Sequence, residues 1–220
     1  MLPREDRQRL LAACDAVHLV MGQVLCEGAA AVRYAYFPVD GFISLLTRVE
    51  NHPSLEVGMV GREGMCGATV ALGVGRAPLL SVVQGPGAAW RISVAAMLAE
   101  MEQSSSLRRN VQRYLFVVLE QMATSAACLH FHAISQRLAR WLLMSQDRAH
   151  APHFHVTHEF LAAMLGVRRV GVTVAASGLQ RQGLISYHRG EVQVLDRAGL
   201  EAAACPCYAR ERLAYQTQFA

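Results

Sequence analysis

Residues 158–185 read HEFLAAMLGVRRVGVTVAASGLQRQGLI, and no other stretch limits the fold as tightly. Counted from His158 as position one, position five is Ala162 and position nine is Gly166; positions 4, 8, 10, 15 and 18 are Leu161, Leu165, Val167, Val172 and Ala175. Two short helices that cross closely need a small residue at the crossing and a residue tolerant of positive φ at the sharp turn. They also need apolar residues toward their common interior. All seven positions meet these demands together, so the segment is expected to be a helix-turn-helix. In such a motif the second helix enters the DNA major groove with its N-terminal residues at the base edges. Arg168 and Arg169 are its first exposed residues, at an end whose unpaired N–H groups favour phosphate. Two adjacent arginines are useless to a core at this point and well placed for DNA.

The next residues, GLISYHRGEVQVLD, read as strands of about 184–187 and 191–195 around a His188-Arg-Gly190 turn: a two-stranded wing, with Arg189 at its tip facing the duplex backbone. The charge supports a DNA partner. Residues 1–134 hold 11 Arg and 11 acids, whereas residues 135–220 hold 10 Arg and 6 acids, so the excess of +4 lies in the last third. Every basic residue is Arg, the better bidentate partner for phosphate and guanine.

Upstream the pattern changes. After an N-terminal helix of about residues 4–14, short alternating runs are punctuated by glycine and proline up to about residue 92. This predicts a small β-barrel or β-roll. Ser93 then caps a short helix, and Ser104–Ser106 precede a long one reaching about His132. Its apolar positions 107, 111, 115, 118, 122, 126 and 129 step by 4, 4, 3, 4, 4 and 3, a single stripe. Packing of the stripe on the β-roll is one reading; the helix's length and apolar character favour a two-fold dimer seam instead, with Val111, Leu115, Val118, Met122 and Leu129 as its contacts. Polar residues Glu120, Gln121, His130 and His132 interrupt residues 114–134, which argues against a membrane span. The N-terminus lacks a signal peptide's apolar stretch, and the cytoplasm is the default location. The expected division is 1–104, 105–133 and 134–220, an α+β architecture.

Six cysteines sit mostly alone in apolar patterns, as small buried hydrophobes. Cys205-Pro-Cys207 is the one close pair, and its single intervening residue is a poor spacing for zinc. On the helix Cys128 and His132 share a face while His130 points elsewhere. His150, His153, His155 and His158 cluster on a connector before the helix-turn-helix. They read as exposed loop residues, with a metal or haem sensed there as the alternative. No metal, cofactor or effector is assigned.

Taken together, YFPVDGFISLL, VGMVGREGMCG, SQRLARWLL and the 161–185 segment make the chain resemble the Crp–Fnr family of bacterial transcription regulators, over about residues 5–200. The resemblance implies a cyclic-nucleotide-binding-type β-roll, a long dimerisation helix and a C-terminal winged helix-turn-helix. It also implies a homodimer on an inverted-repeat DNA site, with RNA polymerase as a further partner. Cyclic-nucleotide binders of the family carry a Gly-Glu for the ribose and, some ten residues on, an Arg-Ser for the phosphate. Here Gly67-Ala68 and the APLLS of residues 77–81 stand in their places, and Arg76 is out of register. Cyclic AMP and cyclic GMP are therefore not the expected effectors. Cys14 and Cys26 are too few for the iron–sulfur centre of the oxygen-sensing branch. On the reading helix Arg169 matches the family's first base-contacting arginine, while Val170 and Val174 replace its later Glu and Arg. The expected DNA contacts are Arg168, Arg169, Val170, Thr173, Val174, Ser177, Arg181 and Arg189. A sensor or protein-interaction module without sequence-specific DNA binding is the alternative. No nucleophile–base pair, paired carboxylates or Gly-rich phosphate loop points to an enzyme.

Overall fold

A computed structural model of the protein describes residues 2–149 and 153–219. A short helix α1 (Arg4–Ala12) leads into β1 (Asp15–Leu19), β2 (Val24–Cys26), β3 (Tyr34–Pro38), β4 (Phe42–Thr47) and β5 (Leu55–Val60). A 3-10 turn (Ala68–Leu72), β6 (Leu80–Gly85) and β7 (Gly87–Ser93) complete the β region. The strands form two antiparallel sheets, β1-β7-β3 and β2-β6-β4-β5. The turn at Gly85-Pro86-Gly87 does not join a hairpin: β6 pairs with β2 and β4, and β7 with β1 and β3. Proline at that corner lacks the N–H that would continue the ladder, and the chain crosses from one sheet to the other. The space between the sheets is filled by Leu19, Ile43, Val60 and Val83.

Ser93 accepts from the Ala96 N–H and starts α2 (Val94–Gln103), and Ser104 accepts from the Leu107 N–H and starts α3 (Ser105–Phe131). By length and composition α3 could cross a membrane. It packs instead on β5, α2 and the C-terminal helix. After a two-residue break, α4 (Ile134–Ala149) lays Leu138, Trp141 and Leu142 into a core that continues from Phe42, Leu46 and Met59 of the β-roll. The C-terminal region therefore shares one core with the β-roll through α4.

Then follow β8 (His153–His155), α5 (His158–Leu165), α6 (Arg169–Arg181), β9 (Ile185–His188), β10 (Glu191–Val194), α7 (Arg197–Ala203) and α8 (Cys207–Phe219). The connector expected over the histidines is corrected here: residues 153–155 are a strand on β10, in a sheet of order β8-β10-β9. Strand period explains it, since Phe154 turns in against Trp141, with ring centroids 6.2 Å apart, while His153 and His155 face outward. His150 lies outside the described residues.

Candidate nucleic-acid interface

Thr157 caps α5 by accepting from the Phe160 N–H, and Gly166 ends it in the left-handed region at φ 60°. A β-carbon there is disfavoured by that φ and would also press on Leu55 of β5. The axes of α5 and α6 differ by 107°. Leu161, Ala162, Leu165, Val172 and Ala175 are buried between α5, α6 and α4, and Val167 packs at their margin. Arg137 of α4 donates to the Leu165 carbonyl, satisfying one of the free acceptors at the end of α5.

All eight residues singled out for DNA contact, Arg168, Arg169, Val170, Thr173, Val174, Ser177, Arg181 and Arg189, are exposed. Arg168 is the N-cap of α6, and Arg169 its first residue. Val170 and Val174, 74% and 66% exposed, are one turn apart on the outer face, largely uncovered by the described residues. The Thr173 hydroxyl is engaged within the motif, 3.0 Å from His158 Nδ1 and 3.1 Å from the Arg169 carbonyl, which leaves its methyl as the outward group. His158 stacks edge-on with Tyr187. Burial first, and then the charge of Arg169, depress its pKa. His158 thus belongs to the helix-turn-helix rather than to a hinge cluster. Arg189 and Gly190 both have positive φ, 49° and 87°, the requirement of a tight two-residue hairpin, so Arg189 stands at the tip of the wing.

Glycines 61 and 64 of the GREGM segment owe their presence to packing as well as turning. A β-carbon on Gly61 would lie 2.7 Å from Arg148 Cγ, and one on Gly64 would overlap the Tyr114 ring. Arg148 is buried at the end of α4 and pairs with Glu63 at 2.8 Å and Glu211 at 3.6 Å. Burial works against its charge, but the two carboxylates outweigh this and raise its pKa. Nearby, Glu56 of β5 accepts from Trp141 Nε1 at 2.9 Å and from the Ser44 hydroxyl. The bonds from Arg148 to Glu63 and from Trp141 to Glu56 join the β-roll to α4, which packs on α6. Neither the Trp141–Glu56 nor the Arg148–Glu63 contact was foreseen from sequence, because each joins residues 85 positions apart.

Inside the β-roll, Gly67, Ala68, Ala77, Pro78, Leu79 and Ser81 line a cavity of about 60 Å³ together with Leu45, Val118 and Met122. No charged residue lines it. The single-stripe expectation for α3 needs correcting. Val111 and Leu115, expected at a dimer seam, are buried in the protomer's own core against Met65 and Met97, and Val118, Met122 and Leu129 are half-buried. A neighbouring stripe is bare instead: Phe116 is 54% and Leu119 66% exposed, followed by Ala123, Ala127 and Phe131. The helix is apolar over much of its circumference, and spacing alone could not say which side faces its own body. The Cys205–Cys207 pair is not isolated either: Cys128 and His132 of α3 converge on it.

Residues 136–203 match the Crp-like helix-turn-helix domain family. The whole fold is similar to that of a Crp/Fnr-family transcriptional regulator from Eubacterium rectale, at 16% identity and TM-score 0.71, covering 92% of this chain and 94% of that one. It is also similar to FixK2 from Bradyrhizobium japonicum, at 13% identity and TM-score 0.73 over 87% and 98% of the two chains. A CRP-family transcriptional regulator from Thermus thermophilus aligns at 20% identity and TM-score 0.70 over 86% and 96%. None of the curated proteins matches the chain. Residues 136–203 are thus a Crp-like helix-turn-helix domain, and the whole chain has the fold of the Crp/Fnr-type structures it resembles.

Proposed function

We propose that the protein is a homodimeric, sequence-specific DNA-binding regulator in which α6 lies in the major groove and the β9–β10 wing on the backbone. The observation that carries this reading is the outer face of α6: two arginines at its N-terminus, then Val170 and Val174 uncovered on a helix whose other side is buried. Arg169 reads guanine through O6 and N7, and Val170, Val174 and the Thr173 methyl meet thymine methyl groups. Arg168, Ser177, Arg181 and Arg189 hold phosphates and fix register. A second copy covers Phe116, Leu119 and Ala123 of α3, so that two reading helices address half-sites about 34 Å apart in an inverted repeat.

In this reading residues 1–104 form a sensor-like unit, 105–133 the dimerisation helix and 134–220 the DNA-binding unit. The protein acts by binding rather than catalysis, in the cytoplasm, with RNA polymerase as its further partner. Its effector is not cyclic AMP or GMP. The β-roll cavity of about 60 Å³ is apolar, far below the roughly 300 Å³ at which ligand pockets begin, and without a cation to hold a phosphodiester. Selection from a random duplex library, with purified protein and no added ligand, tests the reading. An enriched inverted repeat is expected. Recovery of unselected sequence would sink it.

A further inference from the structure

We propose that Cys128, His132, Cys205 and Cys207 form a zinc site that fastens the C-terminal helix α8 to the junction between α3 and α4. One ligand atom from each of the four residues lies within 4.8 Å of all the others, the one such group among the described residues. Cys128 Sγ is 3.5 Å from Cys205 Sγ, and Cys207 Sγ is 3.5 Å from His132 Nδ1. Zinc bound about 2.3 Å from sulfur sets the corners of its tetrahedron about 3.8 Å apart, close to both distances. Three thiols and one imidazole are a closed donor set of the structural kind, and soft thiolates select zinc over hard cations.

Each element contributes for a physical reason. Cys128 and His132 stand one turn apart at the end of α3, on one face. Cys205 ends the loop after α7, and Cys207 is the first residue of α8; Pro206 between them is exposed. The Cys205 N–H donates to the Gln136 carbonyl of α4, which holds this loop against the junction. The three thiols are buried against one another and belong to no larger apolar cluster. Three thiolates and zinc carry a net charge of −1, and Arg137 and Arg140 lie within electrostatic reach to balance it. A disulfide would use only two of the thiols and leave the third and the imidazole without a purpose.

The position gives the site its consequence. His132 is the residue at which the chain leaves α3, with extended backbone, and α4 starts two residues later. The ion would fix the angle between the two helices and the seat of α8. That helix docks on α3 through Gln121, which donates to Glu211 and to Tyr215 at 2.9 Å each. This inference does not depend on the DNA reading.

The test is the metal content of the reduced, full-length protein after incubation with zinc and gel filtration, compared with Cys207→Ser and His132→Ala. About one zinc per chain is expected, with affinity at least ten-fold weaker in both variants. Cobalt in place of zinc should give the intense visible absorption of tetrahedral thiolate coordination. His132 is half-exposed, so its variant should fold even if a cysteine variant does not. Three outcomes would overturn the proposal: no bound zinc while all thiols remain reactive, a Cys128–Cys205 disulfide in protein purified under reductant, or equal zinc in wild type and His132→Ala.

Discussion

Arg148 Nε donates to Glu63 Oε1 at 2.8 Å, joining the Gly61–Gly64 turn of the β-roll to the last turn of α4. α4 also packs on α6, so the turn and the second helix of the helix-turn-helix rest on one element. Breaking a buried pair by removing one partner costs about 3–5 kcal/mol, because the other charge stays buried. Glu211 remains beside Arg148, so Glu63→Ala should lose less, roughly 2 kcal/mol. Urea unfolding measures it; an unchanged midpoint would show that the pair carries no stability.

Glu56 links the same two parts through a different chemistry. Burial pushes its carboxyl up to about 7, against the hydrogen bonds from Ser44 and Trp141. The folded value stands above the ordinary 4.5, so between these values the native state binds more protons than the unfolded one. Stability should therefore fall as pH rises through that window. Glu56→Gln keeps a partner for Trp141 and should raise stability near pH 8 by roughly 1–3 kcal/mol, with little effect near pH 4. Equal effects at both pH values would mean that the carboxyl does not titrate there.

On DNA, Arg169→Ala should cost about 1–3 kcal/mol and relax preference at one base pair per half-site. Uniform weakening on all sequences would make Arg169 a phosphate contact instead. Arg189→Ala at the wing tip should leave the preference intact and reduce the salt slope by about 1. Binding isotherms at several salt concentrations separate the two.

The two faces of α3 predict opposite phenotypes. Leu119→Glu, on the bare stripe, should give a folded monomer in sedimentation, with DNA affinity lowered by loss of the paired half-site. Val111→Glu, in the protomer core, should unfold the protein, since an uncompensated buried charge costs several kcal/mol. A Leu119→Glu protein that stays dimeric would place the seam elsewhere.

Local pattern was enough for the helix-turn-helix, the wing turn and the alternation of the β-roll. Ala162, Gly166 and the apolar positions around them are set by helix period and backbone sterics, and these act within a few residues. Bare arginines at the start of α6 were legible for the same reason. The strand at His153–His155 was hidden because three residues carry too short a period, and its partner β10 lies almost forty positions away. The direction of α3 could not be read either, because both its apolar stripes satisfy helical spacing and only the packed β-roll chooses between them. Cys128 and His132 meet Cys205 and Cys207 across more than seventy residues. Spacing within 205–207 spoke against a metal; tertiary folding supplied the missing donors. Sequence determined what each segment is, through short-range geometry. The tertiary structure alone decided which buried charges, thiols and apolar faces meet, because those encounters depend on how segments distant in the chain pack together.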